Sequence, residues 1–294
     1  MVVVATPVTQ DPPTFRAEAN LVVLHVNVFD KGGQAVDGLS RENFFVYEDD
    51  RPQTVSFFTG EDVPVAVGLV IDNSSSMIHR RDLVVAGGMA FAKSSHPEDE
   101  LFTVSFTEHV RRGLPPQVMF TSSRSMLQAT LVSLSPGGKT ALYDAMIEAL
   151  DHIERATHQK RVLIVLSDGD DNASSHTEKQ MLARAQASDV IIYTVGVSDP
   201  TTAEPGDAGL LRDLAAVGGG RAYFPKRDRD IVTHFEQIAT AIRHGYSIGY
   251  EATSAPAGAH SRRVKVMVKV PGRKGLTARY RQGYATPNAA SIQR

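Results

Sequence analysis

Val63-Pro64-Val65-Ala66-Val67-Gly68-Leu69-Val70-Ile71, running on into Asp72-Asn73-Ser74-Ser75-Ser76, is the stretch on which the reading of this chain turns. The apolar run has the pattern of a strand buried on both faces, as in a parallel sheet. A carboxylate and three hydroxyls follow where such a strand ends. In open α/β sheets, ligands bind in the crevice outside the carboxyl ends of the strands. An Asp-x-Ser-x-Ser loop can turn three oxygen-bearing side chains toward one point. Oxygen-only donors suit a hard cation such as Mg²⁺.

Two further segments extend the pattern. Arg161-Val162-Leu163-Ile164-Val165-Leu166-Ser167 is a second buried-strand run, and it ends in Asp168-Gly169-Asp170-Asp171-Asn172. Between the two lies Pro136-Gly137-Gly138-Lys139-Thr140, a glycine turn that delivers a threonine to the start of a helix. Each piece also has a plainer reading. An Asp-Asn-Ser-Ser-Ser loop is commonly a turn bonding its own backbone. Thr140 alone reads as a helix N-cap, and Asp168-Gly169 alone reads as a turn.

Taken together, the three segments resemble the metal-ion-dependent adhesion site of von Willebrand factor type A domains. The family pattern is Asp-x-Ser-x-Ser, then a Thr, then an Asp-Gly after a later strand. It is filled here by Asp72, Ser74, Ser76, Thr140 and Asp168. The resemblance spans roughly residues 63–243. It implies that Ser74, Ser76 and Thr140 supply hydroxyl oxygens to Mg²⁺, with Mn²⁺ or Ca²⁺ as alternatives. Asp72 and Asp168 would act directly or through water, leaving a position open for a partner carboxylate. Lys139, within the Gly-Gly-Thr turn, departs from the simplest pattern and either adds to that attraction or is solvated.

The middle of the chain alternates strands and helices. Strands are predicted at 64–71, 101–106, 161–167 and 190–197, with helices near 80–95, 122–133, 140–157, 177–187, 208–216 and 229–243. Ile231, Phe235, Ile238 and Ile242 follow helical spacing. Such alternation predicts a doubly wound, mostly parallel sheet covered by helices on both faces, Rossmann-like in architecture.

The flanks read as β structure. Val22, Leu24, Val26 and Val28 share one face of a strand. Phe44–Tyr47 and Thr54–Phe58 flank Asp49-Asp50-Arg51-Pro52, read as the turn of a hairpin joining them. Tyr246–Tyr250 is a strand, and Val264, Val266, Val268 and Val270 alternate with Lys265, Met267 and Lys269. Leu276–Tyr284 gives a third strand, with Arg279 and Arg281 pointing outward. Neither flank is large enough to fold alone. The expected organisation is therefore a discontinuous β-sandwich of 14–60 and 246–285, interrupted by a von Willebrand factor A domain at 61–245. A disordered N-terminus (1–13) and a tail (286–294) complete it.

The flanks carry a resemblance of their own. Phe29-Asp30-Lys31-Gly32-Gly33-Gln34-Ala35-Val36-Asp37-Gly38-Leu39-Ser40 and Asn43-Phe44-Phe45-Val46-Tyr47-Glu48-Asp49 look like the leading segment of bacterial von Willebrand factor A-related proteins common in Acidobacteria. Tyr246–Tyr250 and Arg281-Gln282-Gly283-Tyr284 are similar to that group's closing segment. The resemblance implies an extracytoplasmic location: periplasmic, secreted or cell-surface. Met1–Ala5 has no basic segment and too short an apolar core for a complete signal peptide, though Val3 and Ala5 fit a cleavage pattern.

Composition narrows the function classes. A formal net charge of −2 over 294 residues does not favour wholesale nucleic-acid or anionic-membrane binding. No apolar run approaches a membrane span. The chain has no cysteine, which removes thiolate chemistry, disulfides and zinc-thiolate sites. Gly137-Gly138-Lys139-Thr140 matches the end of a phosphate-binding loop, but Ser133 stands where its first glycine belongs. There is no Gly-x-Ser-x-Gly elbow and no His-Glu-x-x-His. Ser74, His79 and Asp168 could form a hydrolase set, against which His79 reads as solvent-facing beside Arg80 and Arg81. His25 reads as a surface or packing residue. The expectation is a non-enzymatic, metal-dependent protein-binding module whose partner offers an acidic side chain. The alternatives are an envelope assembly component with a fold-stabilising metal and, behind it, a metal-assisted hydrolase.

Overall fold

The computed structural model describes residues 21–60, 62–197, 206–227, 229–252 and 261–285. The expected disordered N-terminus, the tail and Met1–Ala5 lie outside the described residues. In chain order the strands are β1 (Leu21–Phe29), β2 (Phe44–Glu48), β3 (Arg51–Gln53), β4 (Val55–Thr59), β5 (Ala66–Asp72), β6 (Glu100–Phe106), β7 (Val110–Arg112), β8 (Arg161–Ser167), β9 (Ile191–Gly196), β10 (Ala222–Tyr223), β11 (Tyr246–Glu251), β12 (Ser261–Val268), β13 (Thr277–Arg279) and β14 (Gly283–Ala285). The α-helices are α1 (Arg81–Lys93), α2 (Arg124–Val132), α3 (Leu142–Ile153), α4 (Glu178–Ala187), α5 (Ala208–Val217) and α6 (Asp230–Arg243).

The central sheet has the order β10-β9-β8-β5-β6-β7 and is parallel except for the edge strand β7. Every residue of β5 is buried. Its side chains alternate between two cores: Val67, Leu69 and Ile71 face α1, α2 and α6, while Ala66 and Val70 face α3, α4 and α5. Gly68 faces a place where a Cβ would collide with Phe102 and Leu163, so the side chains of both neighbouring strands close over it. The chain runs from β5 to β6 on one side and returns to β8 on the other. The carboxyl end of β5 is therefore a topological switch point.

The other strands form two four-stranded sheets, β13-β1-β11-β4 and β14-β12-β2-β3, which share one core. Val22, Leu24, Val26 and Val28 meet Val264 and Val266 there, from opposite sheets. β4 and β11 are antiparallel neighbours, with Thr59 opposite Ser247. The chain thus leaves this sandwich and re-enters it on adjacent strands, with the α/β domain between.

Three expectations need correction. The hairpin does not join Phe44–Tyr47 to Thr54–Phe58. Asp49 and Asp50 take positive φ, 47° and 63°, and close a two-residue turn between β2 and β3. β4 crosses instead to the opposite sheet, pairing with β11. Leu276–Tyr284 is not one strand, because β13 pairs with β1 in one sheet and β14 with β12 in the other. Nor do both basic residues there point outward: Arg281 is only partly exposed, and its Nη1 donates to the Ser188 carbonyl of the α/β domain at 2.5 Å.

Candidate metal site at the carboxyl ends of β5 and β8

Asp72 is the last residue of β5 and is almost wholly buried. Its carboxylate accepts from the Ser74 backbone N–H at 2.9 Å and from the Ser167 hydroxyl at 2.6 Å. Ser167 also accepts from Gly169 N–H at 3.0 Å, so one hydroxyl ties the ends of β5 and β8 together. Gly169 takes φ +90°, and a Cβ there would strike the Asp207 backbone, so glycine alone fits this turn. The Ser74 and Ser76 hydroxyls stand 3.0 Å apart, and Ser76 Oγ donates to Asp168 Oδ2 at 2.5 Å.

The loop carrying Thr140 is held by both others. Gly137 N–H donates to Asn73 O at 2.9 Å, and Ser75 N–H donates to Gly138 O at 3.2 Å. On its other side, Thr140 N–H donates to Asn172 Oδ1 at 2.9 Å, while Thr140 O accepts from the N–H groups of Asn172 and Ala173. Thr140 is not the N-cap of α3; Ala141 holds that position. The helix start is served from outside: Tyr143 N–H donates to Asp171 and Asp144 N–H to Ser174 Oγ, each at 3.0 Å. The Thr140 hydroxyl makes no hydrogen bond among the described residues and is available as a donor atom. Asp144 in turn locks the segment after β8. Burial works against its charge, but the N–H groups of Ser175 and His176 and their side chains hold its carboxyl down to about 2.

The structure thus links Asp72, Ser74, Ser76 and Asp168 through short hydrogen bonds and attaches Thr140 through backbone contacts. Lys139 is exposed, its N–H donating to Glu108 at 3.1 Å. The sequence reading missed Ser167, Asp144 and the Asp171–Asn172 clamp. Ser167 carried a visible signal, a hydroxyl closing an apolar strand directly before Asp168. Asp144 and Asn172 gave none, because their partners lie about thirty residues away.

Burial pushes the Asp72 carboxyl up to about 6; the charge of Asp168 adds to this, while hydrogen bonds from Ser167 and Ser74 oppose it. Among the described residues no Lys, Arg or His pairs with Asp72 or Asp168. Two close carboxylates without a counter-charge, beside three hydroxyl oxygens, fit a hard divalent cation. Among the described residues no three His, Cys, Asp or Glu side chains gather as a metal cluster, so this donor set depends on its hydroxyls. His79 makes no hydrogen bond to Ser74 or Asp168 among the described residues. Gly137–Thr140 follows α2 across a short connection and does not follow a strand, unlike a phosphate-binding loop.

A switch-point site of hydroxyls and carboxylates on a parallel sheet defines the class: a doubly wound α/β domain with an oxygen-donor site. The family comparison makes this specific. A family model for the von Willebrand factor type A domain matches residues 67–170. The chain carries a von Willebrand factor type A domain. A von Willebrand factor type A protein from Catenulispora acidiphila is similar in structure, with a TM-score of 0.55 at 13% identity, covering 95% of this chain and 77% of that one. The vWF domain of the type V pili tip protein Mfa5 from Porphyromonas gingivalis gives 0.51 at 16% identity, over 62% of this chain and 95% of that one. A D319A mutant of the PilB minor pilin from Streptococcus sanguinis gives 0.51 at 14% identity, over 63% of each chain. These matches do not distinguish the Acidobacteria-type subgroup. No curated protein matches the chain.

Proposed function

We propose that this protein is a non-enzymatic, divalent-metal-dependent protein-binding module of adhesion type. The observation that carries this reading is the line of Ser74, Ser76 and Asp168 oxygens beside the buried Asp72, none of them paired with a cation among the described residues. Ser74, Ser76 and Thr140 would hold Mg²⁺ or Mn²⁺ through hydroxyls, with Asp72 and Asp168 balancing the charge. Mostly neutral ligands leave such an ion able to attract an external anion, and the bound ion would supply the position that accepts a partner carboxylate. Ser167 holds Asp72 oriented, and the Asn172 clamp holds Thr140. The proposal extends to location. Two of the similar folds belong to pilus proteins, and an extracytoplasmic setting suits a surface that captures acidic side chains. No described helix is long and apolar enough to cross a membrane.

The test is thermal unfolding of metal-stripped protein during titration with Mg²⁺ or Mn²⁺. Metal at ~100 times its dissociation constant should stabilise the wild type by about 2.7 kcal/mol. Asp72→Ala should lose that gain. Metal-dependent capture of an acidic partner, abolished by the same substitution, supports the adhesion reading. Superimposable titrations of wild type and Asp72→Ala would sink the site.

A further inference from the structure

A cleft of about 370 Å³ lies between the sandwich and the α/β domain, away from the β5–β8 strand ends. Gln186 and Val217 border it on one side, and Arg262, Arg263, Arg281 and Tyr284 on the other. No Asp or Glu is among its described lining residues. Two of the arginines are neutralised. Arg262 pairs with Glu48 at 2.9 Å and Asp49 at 2.7 Å, and Arg263 pairs with Asp50.

Arg281 is different. Its hydrogen bond among the described residues runs from Nη1 to the Ser188 carbonyl, and the Tyr284 ring lies 5.8 Å from its Cζ. A carbonyl removes no net charge. Asp189 favours the Arg281 cation from a distance, but its carboxylate lies 3.5 Å from Arg161. A guanidinium has five N–H donors in a planar fork that matches the oxygens of carboxylates and phosphates. One of those donors is used here. A half-buried cation without a paired anion, in a cleft with no acidic wall, is an electrostatic imbalance that a bound anion removes.

We propose that this interdomain cleft is an oxyanion site, in which Arg281 binds a phosphate or carboxylate group while Arg262 and Arg263 stay with their own carboxylates. The cleft holds a small polyanion or the acidic side chains of a peptide. This inference does not rest on the metal reading, and its control separates the two.

The experiment uses the full chain stripped of divalent metal, at low ionic strength. Pyrophosphate is titrated in one arm and hexaglutamate in the other, with calorimetry as the readout. Saturable binding is expected, and preference between the arms tells a free phosphate compound from an acidic peptide. Arg281→Gln should weaken binding about tenfold or more, and Arg281→Lys less, because the fork is lost while the charge stays. Gln186→Glu changes an exposed helix residue and places a carboxylate on the cleft wall. It should weaken binding about tenfold even if Arg281→Gln folds poorly. Asp72→Ala should leave anion binding within about twofold, because the strand-end site lies elsewhere. No saturable binding of either probe, or equal binding by wild type, Arg281→Gln and Gln186→Glu, would overturn the proposal.

Discussion

Glu48 in the sandwich and Asp72 in the α/β domain are both about 1% exposed, yet their charges are met in opposite ways. Glu48 has its own cation, Arg262, at 2.9 Å, and the hydroxyls of Tyr250 and Tyr284 donate to it at 2.8 and 2.6 Å. Burial, reinforced by Glu48, pushes the Tyr284 hydroxyl up to about 12, so it stays a donor at neutral pH. Asp72 is met by neutral groups alone, a serine hydroxyl and a backbone N–H. The charge of Glu48 is met within the chain. The strand-end carboxylate has no resident cation among the described residues, and the proposed metal would supply that charge. The contrast is between a buried acid with a resident cation and one that the proposed metal would serve.

Removing the resident cation gives the sharpest test of this contrast. Arg262→Ala leaves Glu48 buried and unpaired, so denaturant unfolding should show a loss of about 3–5 kcal/mol. Added Mg²⁺ should not restore it, and replacing the pair together, Glu48→Gln with Arg262→Met, should recover most of it. A loss below about 1 kcal/mol would mean that Glu48 does not depend on Arg262, and the comparison would break.

The second effect is the mirror image. Burial pushes the Asp72 carboxyl up to about 6 in the fold, against 3.8 for an unperturbed aspartate. Between these values the folded state binds more protons than the unfolded chain, so this group's contribution to stability falls as pH rises and is flat above about 6. Asp72→Asn removes that dependence. In metal-free buffer the variant should gain on wild type by up to about 3 kcal/mol between pH 4 and pH 7. Saturating Mg²⁺ should shrink or reverse the difference at pH 7. A wild-type-minus-variant difference that does not change with pH would show that Asp72 carries no buried charge.

The smallest effect concerns the clamp. Asn172→Ala leaves the Thr140 N–H without its 2.9 Å acceptor, so a loss of about 1 kcal/mol is expected in unfolding. The same change should weaken Mn²⁺ binding about tenfold, as loss of a group supporting a ligand commonly does. Full metal affinity in this variant would show that Thr140 is positioned without Asn172.

Much of this was legible in the chain itself. The runs ending at Asp72 and Ser167 are apolar on both faces, the pattern of a strand in a covered parallel sheet, and each places a carboxylate at a strand end. The spacing of Ile231, Phe235, Ile238 and Ile242 marks α6, and all four are buried. The reading failed where a short segment's partner decides its role. Nothing local to Val55–Thr59 says that it joins β11 rather than β2. Nothing in Leu276–Tyr284 says that the chain switches sheets after Arg279.

The sequence by itself determined the alternation of strands and helices, the α/β class and the identity of the oxygen-bearing residues, because periodicity and strand-end chemistry are written over a few neighbouring positions. Tertiary structure decided that Ser167 orients Asp72, that Asn172 holds Thr140, that Arg262 neutralises Glu48 and that Arg281 faces an interdomain cleft. These contacts join residues from about thirty to more than two hundred positions apart, although the place of Ser167 beside Asp168 was a local clue. At such separations only packing, and the need to satisfy or leave open each buried charge, selects the partner.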